Sequence, residues 1–569
     1  MDAREIIAGL VEDAIRQAFP QAQVPGDIAG LLEIPPDSAM GDYAFPCFRL
    51  SKALRMGPPQ IADTLQKHIN APQVAEARTQ GGYLNFFFNR TAFASQVLAS
   101  VLSADGRWGA SDEGKGKTVC IDFSSINIAK RFHIGHLSTT VIGAALARIY
   151  SYLGWNAVRI NHLGDWGTQF GKMIAAYKHW GNEEMVKTGG VQALSDLYVR
   201  FHQEAETNPA LEDEGRAWFK KIEDGDEEAL GIFNTFKEMT LKDAKKVYDV
   251  LNIDFDSYDG EAFFNDKMEP VIQELRDKGL LEESDGAWVV DLEEEKMPPC
   301  LILKSDGATL YATRDLAAAL YRKKTYDFSK CLYVVAYQQD LHFRQLFAVL
   351  EKMGYAWARD EMEHVAFGMV SYEGEALSTR KGNVIHLDDL LTKAVEKAYQ
   401  VLEEKSPGIQ DKQTVARQVG IGAVIFTTLF NNRIKDIDFW WDRALNFDGE
   451  TGPYVQYTYA RCMSVLKKGA HVDAQPDYNA LNNEEARQLL LLLSRFPDSV
   501  KEAMNRNEPY VVTRAVTEIA KAYNKFYYEH RILADEDSSA KARLMLTDAT
   551  RQVIRAGLAL IGVETPEKM

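Results

Sequence analysis

Two histidines three residues apart, in His133-Ile134-Gly135-His136, are the clearest place in this chain where residue type and spacing could do chemistry. At i and i+3 the two imidazoles share one face of a helix, and the residues that follow, Leu137, Val141, Ile142, Ala145, Leu146, Ile149 and Leu153, recur at helical spacing. A helix start offers unpaired backbone N–H groups and the positive end of the helix dipole, so the pair suits the phosphates of a nucleotide. Gly135, without a side chain, leaves room for such a ligand to approach closely. His-x-Gly-His alone is a weak signal, since histidines also cap and pack. Its place on a strand-to-helix turn gives it weight.

The elements that position this turn can be read on either side of it. Thr118-Val119-Cys120-Ile121-Asp122-Phe123 reads as a strand leading into the motif, and Gly154 stops the helix before a second strand at Ala157-Val158-Arg159-Ile160-Asn161. With further strands at 331–335 and 364–368, the pattern predicts a doubly wound, Rossmann-like parallel sheet with ligands at the strands' carboxyl ends. Ahead of it, residues 1–105 read as a small α/β domain with a strand at 83–88, joined through the Gly- and Lys-rich stretch 112–117. A catalytic domain over 115–412 then carries an acidic helical insertion at about 183–250. From 413 to 569 the pattern is almost wholly helical, with no strand of comparable strength, so an all-α domain is expected there.

Composition narrows the classes. A chain of 569 residues with 46% hydrophobic and 26% charged residues is a folded multidomain protein, not a disordered one. The five cysteines are isolated, without Cys-x-x-Cys or His groupings at zinc spacing, so buried free thiols are expected and no structural metal. No stretch approaches a membrane span and the acidic, amphipathic start lacks a signal core, which places the chain in the cytoplasm. A formal net charge of −17 argues against coating nucleic acid by bulk charge, but not against a local basic surface.

The stretch from Ser124 to Leu137, SSINIAKRFHIGHL, resembles the nucleotide-binding signature of arginyl-tRNA synthetases of class I. Further segments follow in family order: 161–171 (NHLGDWGTQFG), 305–307 (SDG), 311–316 (YATRDL), 338–343 (QQDLHF), 377–383 (LSTRKGN) and 449–457 (GETGPYVQY). The resemblance covers nearly the whole chain, including Gly41-Asp42-Tyr43-Ala44 and the closing Pro566-Glu567-Lys568-Met569. It implies ATP-dependent activation of L-arginine, transfer to the 3′ end of tRNA(Arg), an N-terminal domain on the tRNA elbow and a helical anticodon-binding domain at the C-terminus.

By this resemblance His133, His136, Lys130 and Arg380 are catalytic, while Ile134, Gly135, Met369, Ser378, Thr379 and Lys381 bind ATP. The loop Ser378 to Lys381 closes over the departing pyrophosphate. Ala376 stands where class I enzymes commonly place a first lysine, and Lys130 resembles the lysine that compensates. Ile126 and Ser138 depart from the usual proline and arginine. A guanidinium calls for carboxylate partners, and the matching acids are Asp122, Glu261 and Asp315, with Tyr311 one helical turn before Asp315 and Gln339 at a strand end. Asn127 faces the α-amino group.

The resemblance also implies ATP with Mg²⁺, a monomer, and arginine activation that requires bound tRNA. Two other readings are a small cytidylyl- or adenylyl-transferase, disfavoured by chain length and the helical C-terminal domain, and a catalytically inactive tRNA-binding paralogue. The altered Ala376 loop is the only support for the second. Tyr454, Tyr457, Tyr459 and Arg461 are candidates for stacking on anticodon bases. Tyr523, Phe526, Tyr527 and Tyr528 are not separable into core and contact from spacing alone.

Overall fold

The computed structural model describes residues 3–22, 25–304, 311–376, 385–534 and 536–569. In the N-terminal part, α1 (Ala3–Ala18) and α2 (Pro58–Gln66) pack with an antiparallel sheet of β1 (Tyr43–Pro46), β2 (Val74–Gln80) and β3 (Tyr83–Phe88), ordered β1-β3-β2. Helix α3 (Arg90–Ser103) leads out of it.

The central sheet is built from β4 (Thr118–Asp122), β5 (Asn156–Ile160), β9 (Lys330–Tyr333) and β10 (Met362–His364), ordered β10-β9-β4-β5 and parallel throughout. Its central strand shows why it needs helices on both faces. Val119, Ile121 and Phe123 join the core shared with α4 (Leu137–Tyr152), whereas Cys120 joins a second core with Leu316, Phe343 and Leu346. The expected strand at 364–368 lies earlier, at 362–364, because the chain leaves the ladder after His364 and keeps only an isolated bridge at Phe367.

After β5 come α5 (Thr168–Trp180) and the three helices of the acidic insertion, α6 (Glu183–Ala205), α7 (Ala210–Glu223) and α8 (Glu227–Leu251). An antiparallel sheet of β6 (Glu282–Ser284), β7 (Ala287–Val290) and β8 (Cys300–Leu303) precedes α9 (Tyr311–Tyr326), and α10 (Asp340–Lys352) follows β9. Then β11 (Val370–Tyr372), β12 (Glu375–Ala376), α11 (Leu387–Lys405) and α12 (Lys412–Thr428) lead toward the helical C-terminal part. A short strand, β13 (Ile437–Phe439), pairs in parallel with β11, so the chain returns once to the catalytic side after residue 413. Three residues are too few to leave an alternating pattern in the sequence.

The C-terminal part packs α13 (Gly452–Lys468), α14 (Glu484–Asn505), α15 (Tyr510–Glu529) and α16 (Asp537–Leu560) around Tyr459, Phe496, Tyr523 and Phe526. All five cysteines are buried and free. The Gly41-Asp42-Tyr43 segment is explained by the junction of the two ends of the chain. Asp42 is buried and accepts the Phe88 N–H at 2.8 Å, while its other oxygen takes Arg487 Nε of α14 at 2.9 Å. Arg4 and Arg495 lie over the Tyr43 ring. Gly41 has φ +115°, and a Cβ there would meet the Phe86 carbonyl at 2.9 Å.

Candidate active site

Between β4 and α4 the chain adopts a strained loop: Ser124, Ser125 and Ala129 all have positive φ (71°, 45° and 63°). Such residues persist only where their surroundings over-determine them. Here the support comes from the acidic insertion, in which the sequence showed no chemistry. Tyr248 of α8 bonds Ser124 Oγ and Asn161 Nδ2, each at 2.8 Å, and Thr240 Oγ1 accepts the Ala129 N–H at 2.9 Å. Lys237 on the same helix face pairs with the fully buried Asp165 at 2.6 Å. At positions 237, 240 and 248 one face of α8 holds both loops, 124–129 and 161–165.

The His133-Ile134-Gly135-His136 turn is a short 3₁₀ segment ahead of α4 rather than the first turn of the α-helix itself. His133 is its N-cap, with Nδ1 accepting the Gly135 N–H at 3.1 Å, and the two imidazole centroids are 4.0 Å apart. Capping by Nδ1 puts the proton of the neutral ring on Nε2, the nitrogen left to meet a ligand. A Cβ at Gly135 would lie 2.8 Å from the His133 ring, so in this structure the glycine makes room first for the histidine. Burial pushes both imidazoles down, His136 to about 3 with His133 and the nearby Lys130 ammonium adding to it, while His386 and then Lys130 further depress His133. Both rings are therefore neutral at pH 7. Lys130 is exposed beside them.

Ser378, Thr379, Arg380 and Lys381 lie outside the described residues, as does the side chain of Ala376. The described chain resumes at Ile385, whose carbonyl accepts the Ile134 N–H at 2.9 Å, and Leu387 N donates to Phe132 O at 2.9 Å. The segment that follows the loop is thus pinned to the histidine turn. Met369, 40% exposed, precedes β11 and donates its N–H to Asp436 at 2.7 Å.

The acids form a connected group at the carboxyl ends of β4 and β9. Asp315 bonds His342 at 2.7 Å and faces His162 at 4.0 Å. Burial raises its pKa, but the His342 hydrogen bond and the charges of His342, His162 and Arg322 outweigh this and hold the carboxylate ionised. Glu261 is 3.8 Å from Arg314, and burial pushes it up to about 7 despite that cation, with Asp315 and Asp165 adding repulsion. Tyr311, 65% exposed, stands one turn before Asp315 on α9, and Gln339 is exposed just before α10. Asn127 is exposed against Gly164, where any Cβ would strike its amide oxygen.

Asp122 is the most buried of the three acids. Its carboxylate is 7% exposed, bound to Arg322 at 2.7 Å and to the Ser125 hydroxyl at 2.9 Å, so it is committed to the protein's own guanidinium. Arg322 in turn lies 3.5 Å from His162, linking Asp122 to Asp315. His162, Arg322 and His342 were missed, although His162 and His342 fall inside the motif segments and only their partners were hidden. Among the described residues no group of three His, Cys, Asp or Glu is placed to hold a metal ion, and no helix is long and apolar enough to cross a membrane.

A parallel sheet ending in this histidine turn is matched over residues 97–441 by the model of class I (R) tRNA synthetase catalytic domains, which defines a class I aminoacyl-tRNA synthetase. The flanking regions match the arginyl-tRNA synthetase N-terminal domain (5–88) and the DALR anticodon-binding domain (455–569). The chain belongs to the arginyl-tRNA synthetase family. It is 51% identical to an arginine–tRNA ligase of Alkaliphilus metalliredigens over 95% of this chain and 96% of the relative. A Clostridium perfringens arginine–tRNA ligase is 49% identical, with 100% of both chains covered. The solved Thermus thermophilus arginyl-tRNA synthetase superposes with a TM-score of 0.83 at 26% identity, covering 100% of both chains.

Proposed function

We infer that this chain is an active arginine–tRNA ligase: it joins L-arginine to ATP as arginyl-adenylate with release of pyrophosphate, then passes the arginyl group to the 3′-terminal adenosine of tRNA(Arg). The observation that carries this reading is the ionised Asp315, with Glu261 beside it, at the same sheet edge as the paired histidines. Activation is mostly positioning and electrostatic stabilisation of charge that builds on phosphoryl oxygens. His133 and His136 serve as neutral Nε2–H donors to those oxygens and Lys130 supplies the fixed positive charge. Arg380 and Lys381, with Ser378 and Thr379, close over the pyrophosphate, while Ile134, Gly135 and Met369 shape the adenosine side.

Asp315, Glu261 and Tyr311 hold the arginine guanidinium, Gln339 borders it and Asn127 takes the α-amino group; Asp122 acts through Arg322 as a positioning residue. A pocket built for a guanidinium leaves its buried acids unpaired with the wrong amino acid, a penalty of about 10⁴–10⁵ in comparable polar sites, so separate proofreading adds little. Mg²⁺ arrives with the ATP phosphates, its usual route into such sites.

The chain divides functionally at 1–105, 115–412 and 413–569, works as a cytoplasmic monomer, and activates arginine only with tRNA bound. In the C-terminal part Tyr459, Tyr523 and Phe526 are core, whereas the Arg461 guanidinium lies 4.9 Å from the rings of both Tyr457 and Tyr527, which are about 40% exposed. That cation–aromatic group, with the 86% exposed Tyr528, is the platform for anticodon bases. ATP–pyrophosphate exchange with each of the twenty amino acids, with and without tRNA, tests the reading. Exchange with arginine alone, and only with tRNA, is expected. Another amino acid would overturn the pocket assignment, equal exchange without tRNA would overturn the coupling, and no exchange would revive an inactive tRNA-binding paralogue.

A further inference from the structure

At the far end of α4 from the histidine turn lies a cavity of ≈ 590 Å³, walled by the segment after α3, the last turns of α4 and the C-terminal half of α16. Arg148, its first lining residue on α4, is twelve residues past His136, about 18 Å at 1.5 Å per residue. Four arginines line it, Arg107, Arg148, Arg551 and Arg555, against a single acid, Asp105.

In a chain of net charge −17 most arginines find carboxylates, and these largely do not. Arg551 pairs with Asp548 at 2.7 Å. Arg148 gives one N–H to the Asn252 carbonyl at 2.7 Å, and burial together with the neighbouring Arg159 pushes it down to about 10. Arg107 lies 5.8 Å from the Tyr152 ring centroid. Arg107, Arg148 and Arg555 form no ion pair among the described residues. Guanidinium groups gathered around a shared hollow repel one another, and they are the groups whose planar forks match phosphate oxygens. The volume is in the range of small-molecule sites and suits a ligand of mononucleotide size.

We propose that this cavity is a second ligand site, binding a small molecule that carries two or more phosphate charges between Arg107, Arg148 and Arg555. A ligand there bridges the N-terminal connector, the helix that begins at the histidine turn, and the last helix of the C-terminal part.

The test uses the full-length chain with its active site filled by a non-hydrolysable arginyl-sulfamoyl adenosine, whose own binding is measured first so that failure of the ligase reading is seen separately. Inorganic tripolyphosphate, ATP and GTP are then titrated calorimetrically. One further anion per chain is expected, with affinity falling about tenfold or more in the Arg107→Ala/Arg555→Ala double variant, the effect of losing one or more charge-assisted hydrogen bonds. Both positions are exposed, so the variant keeps its melting temperature and pyrophosphate exchange. Tighter binding of a nucleotide than of tripolyphosphate assigns the ligand to nucleotides, and equal binding assigns it to the phosphate chain alone. No binding to the filled enzyme, or equal affinity in the variant, overturns the proposal. So does weakened tRNA binding in the variant without any small-anion binding, which would make the cavity an RNA contact.

Discussion

The two kinds of ionisable group in the site respond to pH in opposite senses. Glu261, raised to about 7, is partly protonated in the empty enzyme at neutral pH. Arginine binding should therefore tighten as pH rises toward 7 and level off above it, by at most about tenfold per pH unit below 7. Calorimetric titration of arginine against pH checks this, and Glu261→Gln should flatten the profile. Its stability contribution has the opposite sign: present below 4.5 and lost as pH rises through about 7. For His133 and His136, whose folded pKa values lie below 6.5, the unfolded chain takes up protons that the folded chain refuses. Stability should fall as pH drops below 6.5, and His136→Asn should reduce that loss in denaturant titrations at pH 5 against pH 7. The histidines and Asp315 were legible because they sit in contiguous motifs. The pairing of Asp122 with Arg322 was not, since the two are 200 positions apart and nothing local in either segment records it.

Among elements, the strands and helices around the active site could be read from apolar spacing, and β4, α4 and β5 lie within a residue or two of where that spacing puts them. What spacing cannot carry is which polar residue of a helix faces inward, and α8 is the instance. Tyr248 and Thr240 look like any others in an acidic helix until the strained loop is packed against them. Replacing Tyr248 with Phe removes one hydroxyl and leaves Asn161 Nδ2 buried without its acceptor, at a cost of about 1–3 kcal/mol. A lower melting temperature and slower pyrophosphate exchange are expected, with far-ultraviolet circular dichroism unchanged. Full exchange activity in the variant would show that the loop holds its shape without α8.

At the scale of the whole molecule, the two ends of the chain are fastened by Asp42 and Arg487. Asp42→Ala leaves a buried guanidinium with only Glu484 as partner and the Phe88 N–H without an acceptor, and should destabilise the protein by about 3–5 kcal/mol. Denaturant unfolding of Asp42→Ala, Arg487→Met and the double variant checks this; the double variant should lose less than the two single losses combined. Additive losses would mean that the residues are not coupled. The clamp also has a history in time. The two residues are 445 positions apart, so at about 5–20 residues per second Asp42 emerges from the ribosome roughly 20–90 s before its partner exists. Throughout that interval the newborn N-terminal domain carries an acid shaped for a cation not yet made, and must stay folded and soluble with water in that cation's place.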